Sequence, residues 1–155
     1  YINHPIRTLA YRFEKDDKCI VFLTDMEPYY DVIYQGVCPS DDELEEFEEV
    51  QATVALQNQT VVDFCAGADI LCIDAQYTHK EYEGKIGWGH TSMEDAIQIA
   101  HRAKVRDLLF FHHDPMRTDD ELDRLLDHHS QMISNLTGTS IKSLDGAREK
   151  TAYKA

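Results

Sequence analysis

Three apolar segments of this chain end in side chains that can bind a metal ion. His4 lies near the start, Asp25 follows the apolar run at residues 20–23, and His112 follows the run at residues 108–111. Strands that stay buried until they end in His or Asp place such groups along one rim of an α/β sheet. Imidazole and carboxylate ligands together suit zinc, manganese or iron better than calcium or magnesium. These three residues therefore predict a site for a divalent metal.

Neighbouring residues leave alternatives open. His113 follows His112 directly, and the alternation of side chains along a strand allows only one of them to face the rim. Asp114 could orient an imidazole, but a turn before Pro115 explains it equally well. His90 precedes the start of a predicted helix, where an anion is favoured. A plain loop histidine is the alternative for His90.

The elements that must position these residues alternate between strand and helix, which predicts an α/β domain. Residues 9–14 and 19–23 predict a hairpin, and residues 69–74 and 107–111 predict two further buried strands. Capping boxes predict the starts of three helices, at Ser40 with Glu43, Thr91 with Glu94, and Thr118 with Glu121. We expect the first helix to break before Asn58 and a short helix over 61–66. Beyond Ser134 only a strand near 140–144 is predicted.

Composition narrows the class of protein. The 155 residues suffice for one domain or part of a larger one. The 29 acidic and 15 basic residues give a net charge of −14, which argues against nucleic-acid binding. No apolar stretch approaches the roughly 20 residues that span a bilayer. The four cysteines form no CxxC motif, and three lie in apolar runs, so we expect reduced thiols and a cytoplasmic protein. Because the chain starts at Tyr1 without Met, we also expect it to be a fragment.

Five segments in order resemble the phosphodiesterase and RNase Z-like branch of the metallo-β-lactamase superfamily. They are His4 followed by Leu-Ala-Tyr-Arg-Phe at 9–13, Val-Phe-Leu-Thr-Asp at 21–25, the strand at 68–75, His-Thr-Ser-Met-Glu-Asp-Ala at 90–96, and the strand ending in His112. The His-x-His-x-Asp-His loop of that family does not occur in the sequence. The resemblance thus implies the carboxy-terminal half of an αββα sandwich over residues 1–134, a mixed sheet with helices on one face. Residues 135–155 would form a tail.

The resemblance also implies roles for individual residues. His4 would complete a first metal site, Asp25 would bridge two metals, and His112 would complete the second site. His90 would contact the scissile phosphate or protonate its leaving oxygen, so that His90 and Asp25 are the catalytic candidates. Asp74 stands where relatives often carry Glu, which leaves an acid role there in doubt. Glu94 is assigned to a helix cap, and the remaining histidines, His79, His101, His128 and His129, to the surface or to helices.

The function that the resemblance implies is metal-dependent hydrolysis of a phosphodiester or cyclic phosphate, with two divalent ions (zinc, or manganese or iron). The acidic composition favours a small ester over tRNA. Three ligands shared by two ions leave about two per ion, below what stable sites use, so we expect this chain alone to bind metal weakly and to be inactive.

Half of a sandwich leaves one apolar sheet face uncovered. We therefore expect either the amino-terminal half of the fold or a second copy, as a dimer, to cover it. The alternative function is a non-catalytic module for dimerisation or regulation. A response-regulator-like domain ranks last, because the acidic pair and the late lysine that such a domain needs are absent.

Overall fold

A computed structural model describes residues 2–147 of the chain. Five strands and four helices follow one another in the order β1 (Ala10–Lys15), β2 (Lys18–Leu23), α1 (Leu44–Cys65), β3 (Ile70–Asp74), α2 (His79–Tyr82), α3 (Met93–Arg102), β4 (Asp107–Phe111), α4 (Asp119–Ser134) and β5 (Ser143–Gly146). A single 3₁₀ turn, Asp41–Glu43, leads into α1. The predicted α/β class is confirmed.

The strands form one mixed sheet in the order β1-β2-β3-β4-β5. β1 and β2 are antiparallel, joined by a tight turn in which Asp16 and Asp17 both have positive φ (48° and 60°). β2, β3, β4 and β5 run parallel. Parallel neighbours need crossover connections, which the helices supply. As a result, the carboxyl ends of β2, β3 and β4 meet at one edge of the sheet.

One face of the sheet forms the hydrophobic core with the helices. Strand alternation and register place six side chains on this inner face, and all are at most 2% exposed: Val21, Leu23, Leu71, Ile73, Leu108 and Phe110. They pack in one cluster with residues of α1, α3 and α4, among them Val61, Ile97 and Ile133. The inner face and the helices that cover it thus form the hydrophobic core.

The opposite face of the sheet, the outer face, is also apolar but is not covered by the described residues. Tyr11, Phe13 and Ile20 are 43%, 60% and 44% exposed. Register places Phe22, Cys72, Leu109 and Phe111 on the same face. The rings of Phe22 and Phe111 lie 5.1 Å apart, so the apolar surface is continuous across three strands. This is the uncovered face that half of a sandwich predicts.

Two helix starts and one helix length differ from the sequence predictions. α1 continues through Asn58, because that side chain pairs with the backbone N–H and C=O of Tyr29 (2.9 and 2.8 Å) and does not interrupt the helix. The Ser40 hydroxyl donates to the Glu43 carboxylate and caps no backbone group.

At α3 the capping residue is Ser92, not Thr91. Its side chain accepts from the Asp95 N–H, while the Thr91 hydroxyl donates to the backbone oxygen of Met26. The capping box of Thr118 and Glu121 at α4 is confirmed.

The strand predicted near residues 140–144 lies at Ser143–Gly146 and pairs with β4. It belongs to the segment 135–155 that the sequence predicts as a tail, of which residues 148–155 lie outside the described part of the chain. Between residues 2 and 147, no helix has both the length and the apolar character that crossing a membrane requires.

Candidate metal centre

Four metal-binding side chains converge at the carboxyl edge of the sheet. Asp25 follows β2, Asp74 is the last residue of β3, and His112 follows β4 directly. His90 reaches the same place from the loop before α3. One ligand atom from each lies within 4.8 Å of those of the other three. The parallel arrangement of the strands therefore brings together three residues that are widely separated in the sequence.

Asp74 is the buried centre of this group, with no exposed surface. Its Oδ1 accepts a hydrogen bond from the Gln76 N–H (3.1 Å), and its Oδ2 accepts one from the Met26 N–H (3.3 Å). The Nδ1 of His90 lies 2.7 Å from the same Oδ2. Because an ionised carboxylate can only accept, this contact places the hydrogen of His90 on Nδ1 and leaves its Nε2 as the free ring nitrogen.

His112 occupies a strained backbone position that turns its ring towards the two aspartates. Its φ is +57°, in the left-handed region that costs a non-glycine residue about 1–3 kcal/mol. Its Nδ1 lies 3.7 Å from Asp25 Oδ1 and 3.7 Å from Asp74 Oδ2, and it is buried with no hydrogen-bond partner among the described residues. The nearby Asp74 carboxylate raises the pKa of His112 against the opposing effect of burial, and Asp25 adds to the rise.

The residues beside His112 take other roles. His113 lies beside Gly146, next to Leu122 and Leu126, and burial lowers its pKa. The Asp114 carboxylate accepts from the Met116 N–H (2.8 Å), which is the turn geometry that the sequence left as one of two interpretations. Of the adjacent histidines, His112 is thus the one that joins the group of four.

His4, predicted to complete a first metal site, lies next to the group but outside it. Its ring centre is 5.7 Å from that of His90. The ring also lies against Gly89, where any Cβ would collide with it and with Pro5. The Nδ1 of His4 is 2.8 Å from the backbone oxygen of Ile6. The role of His4 as a ligand stays a prediction.

The donor set fits a divalent transition metal. Two carboxylates and two imidazoles are ligands that zinc, manganese and iron accept. The buried, unpartnered Nδ1 of His112 fits the same use, since a buried polar atom without a partner is costly unless a ligand satisfies it. Four groups suffice for one ion, whereas two ions need further ligands.

Two parts of this arrangement were not foreseen. The sequence assigns Asp74 no firm role, although its position at the end of a buried strand is the available signal. His129, assigned to the surface or to a helix, lies in α4 but is only 1% exposed, with its Nε2 3.4 Å from Glu94 Oε1. Glu94 also accepts from the His79 N–H (2.8 Å). Burial alone would raise the pKa of Glu94, but the contact with His129 outweighs burial and lowers this pKa below its ordinary value.

Comparison with solved structures identifies the fold. The crystal structure of the metallo-beta-lactamase fold protein YhfI from Bacillus subtilis matches with a TM-score of 0.59 and 16% identity. The match covers 95% of this chain and 44% of YhfI. The chain therefore has about half of a metallo-β-lactamase fold, and the resemblance predicted from the sequence is confirmed.

A similarity in sequence points in the same direction. The chain is 35% identical over 66 residues to ribonuclease Z of Brevibacillus brevis (strain 47 / JCM 6285 / NBRC 100599). That segment is 43% of this chain but only 21% of the ribonuclease Z. No family model matches the chain. The chain therefore spans well under two thirds of either relative, and the two similarities agree on the fold.

Proposed function

We propose that this chain supplies one side of the active site of a metal-dependent hydrolase that acts on a phosphodiester or cyclic phosphate. The observation that carries the proposal is the convergence of Asp25, Asp74, His90 and His112 at one edge of the sheet. A divalent ion bound there would polarise the scissile ester and lower the pKa of an attacking water.

The side chains of this chain would divide the work between them. Asp25, Asp74 and His112 would hold the metal, and Asp25, whose side chain is about a third exposed, could also face a second ion. Asp74 fixes the orientation of the His90 ring through Nδ1, so that Nε2 can give or take a proton at the substrate. His90 also stands just before α3, whose N-terminus favours a negatively charged group.

The charge of the chain supports a small substrate. Because the chain carries a net charge of −14, it would repel a long polyanion strongly, whereas a single phosphate carries few charges and would be repelled much less. The four cysteines are free thiols, and three of them are buried. This supports a reducing compartment such as the cytoplasm.

We propose that the complementary half of the sandwich covers the outer face. The exposed Phe13 and Ile20 provide the apolar surface, and the 44% coverage of YhfI supports a second polypeptide segment of about equal size. Such a segment would also supply the ligands that a second ion needs. A second copy of the chain on this face is the competing outcome.

Calorimetric titration of the purified chain with Zn²⁺ and with Mn²⁺ tests the metal centre. We expect one weak site, because the three proposed ligands Asp25, Asp74 and His112 fall short of four for one ion and cannot serve two. Asp25→Asn and His112→Ala should each weaken that site about 10- to 100-fold or abolish it. Asp123→Asn, in the exposed part of α4, serves as the matched control. Unchanged metal affinity in both site variants would contradict the proposal. Two tight metal sites in the wild-type chain would contradict the claim that this chain holds only part of a two-metal centre.

The exposed outer face is also what a non-catalytic association module would need, so that function is the second candidate. Hydrolysis of bis(p-nitrophenyl) phosphate by the chain together with a complementary half separates the two. Metal-dependent turnover that His90→Ala abolishes supports the enzyme. Two results together support the association module. The pieces associate without hydrolysing the substrate, and the native reading frame encodes no His-x-His-x-Asp-His loop.

A further inference from the structure

A buried carboxylate next to the metal centre has no part in the proposed chemistry. Glu27 is only 2% exposed. Its Oε1 accepts hydrogen bonds from the Tyr82 hydroxyl (2.7 Å) and the Gly87 N–H (2.7 Å), and its Oε2 accepts one from the Gly89 N–H (2.9 Å). A buried acid is costly unless donors satisfy it, and here three donors do so.

One donor, Tyr82, is the last residue of α2, and the other two belong to the loop that leads from α2 to His90. Gly87 and Gly89 have φ of +87° and +90°, a conformation that glycine adopts without strain and that lets both N–H groups turn towards one carboxylate. The Cα of Gly89 also lies directly against the His4 ring, where a side chain would collide. The carboxylate of Glu27 therefore fixes the backbone immediately before His90.

The backbone around Glu27 connects the same region to the rest of the site. The Glu27 N–H donates to the Asn3 carbonyl (2.8 Å), next to His4. The Met26 N–H donates to Asp74 (3.3 Å), and the Met26 carbonyl accepts from the Thr91 hydroxyl (2.6 Å). Residues 25–27 thus contact every segment that carries a candidate site residue, since Asp25 Oδ1 also lies 3.7 Å from His112 Nδ1 after β4.

We propose that Glu27 is a positioning residue for the metal centre. By holding Gly87 and Gly89, its carboxylate sets the place of His90, whose Nδ1 then meets Asp74 at 2.7 Å. That the centre binds a metal rests on the proposed function. That Glu27 sets the position of the His90 ring does not depend on that function. The competing role for Glu27 is to stabilise the loop without any effect on the His90 ring.

Glu27→Gln is the decisive variant, because the amide keeps the shape of the side chain but has a single acceptor oxygen and adds an NH₂ donor. It cannot accept from all three donors, and its NH₂ faces an N–H group. Asp31→Asn is the matched control. Asp31 is also a buried carboxylate that accepts from three backbone N–H groups, those of Ile33, Tyr34 and Gly36, none of them in the loop before His90.

Two measurements decide the proposal. Long-range ¹H–¹⁵N spectra of the metal-free chain report which nitrogen of His90 carries the hydrogen. Titration with Co²⁺, followed by absorption, reports the metal site. In Glu27→Gln we expect His90 to lose its fixed Nδ1–H form and Co²⁺ affinity to fall about 10- to 100-fold. Asp31→Asn should keep the Nδ1–H form of His90 and the wild-type Co²⁺ affinity, even if it lowers the free energy of unfolding as much as Glu27→Gln does.

Equal behaviour of the two variants in both readouts would overturn the proposal, as would a wild-type His90 spectrum in Glu27→Gln. If the Glu27 variant does not fold, Tyr82→Phe is used in its place, because it removes one of the three donors to Glu27. In that variant His90 should lose part of its Nδ1–H form in the ¹H–¹⁵N spectra. A spectrum identical to that of the wild type would count against the proposal. A wild-type chain that binds no Co²⁺ would refute the proposed function, while the metal-free His90 spectra would still decide the role of Glu27.

Discussion

Removing two side chains from the outer face should weaken self-association of the isolated chain without unfolding it. Phe13 and Ile20 are direct partners across β1 and β2 and are 60% and 44% exposed. In the absence of the complementary half, we expect copies of the chain to cover this surface for one another. The test variant is Phe13→Thr with Ile20→Thr, which keeps residues that favour strands.

The expected size of the effect follows from the exposed areas. A phenylalanine of roughly 200 Å² that is 60% exposed leaves about 120 Å² to cover, worth about 3 kcal/mol at about 25 cal/mol per Å². Ile20, at roughly 180 Å² and 44% exposed, adds about 2 kcal/mol. Area overstates affinity because association has its own costs, so we expect a loss of about 2–4 kcal/mol, or roughly 30- to 1000-fold in Kd.

Sedimentation velocity over a concentration series measures the association, and urea unfolding checks the fold. Leu56→Gln is the control, since Leu56 is 69% exposed but lies on α1, away from the outer face. Unfolding should change by at most about 0.5 kcal/mol, because these side chains are exposed in the monomer. A wild-type chain that stays monomeric throughout, or a double variant that associates as strongly as wild type, would refute the reasoning.

Three further predictions concern the interior and one loop. Glu94→Gln should lower the free energy of unfolding at pH 7 by about 1–2 kcal/mol. Since the native pKa of Glu94 lies below its ordinary value of 4.5, the difference from wild type in urea unfolding should shrink as the pH falls below about 4.5. Iodoacetamide at pH 8 should label the partly exposed Cys38 well before Cys65, because burial raises the pKa of Cys65 to about 12; mass mapping of the native chain measures this. Gly89→Ala should cost about 2–4 kcal/mol in urea unfolding, from positive φ and the collision with His4.

Each of these has a result that would contradict it. A constant difference between Glu94→Gln and wild type from pH 7 to pH 3 would show that Glu94 contributes nothing through its charge. Equal labelling of both cysteines would indicate that the core around α1 opens readily. Gly67→Ala separates strain from collision, since Gly67 has φ +67° but open space around it. Equal costs at residues 67 and 89 would contradict the close packing of His4.

The strands and the edge they share were predictable because their signals are local. Apolar runs bounded by polar turns predicted β2, β3 and β4, and parallel pairing then placed Asp25 and His112 together. The membership of Asp74 in the site was missed, because one acid after an apolar run looks the same whether it ends a strand at a site or simply meets solvent. Only the sheet order, with β3 between β2 and β4, decides between the two.

Other features escaped prediction because they depend on distant partners or on one backbone angle. The pairing of Asn58 with Tyr29 spans 29 residues, so the sequence near Asn58 shows no reason for the helix to continue. Glu94 and His129 lie on different helices. His112, and not His113, lies in the group of four, although strand alternation could not select it, because the strand ends at Phe111 and His112 has a positive φ.

The register of β3 has a consequence for how such a site would be assembled. Asp74 pairs with Phe111 and therefore continues the same row of side chains as Cys72, on the side of the sheet away from the helices. Any polypeptide that lies against this row therefore also approaches the end of β3 where Asp74 is buried. If the proposed function holds for two separate pieces, the rate of hydrolysis should rise with the square of their dilute equimolar concentration and vanish when either piece is withheld.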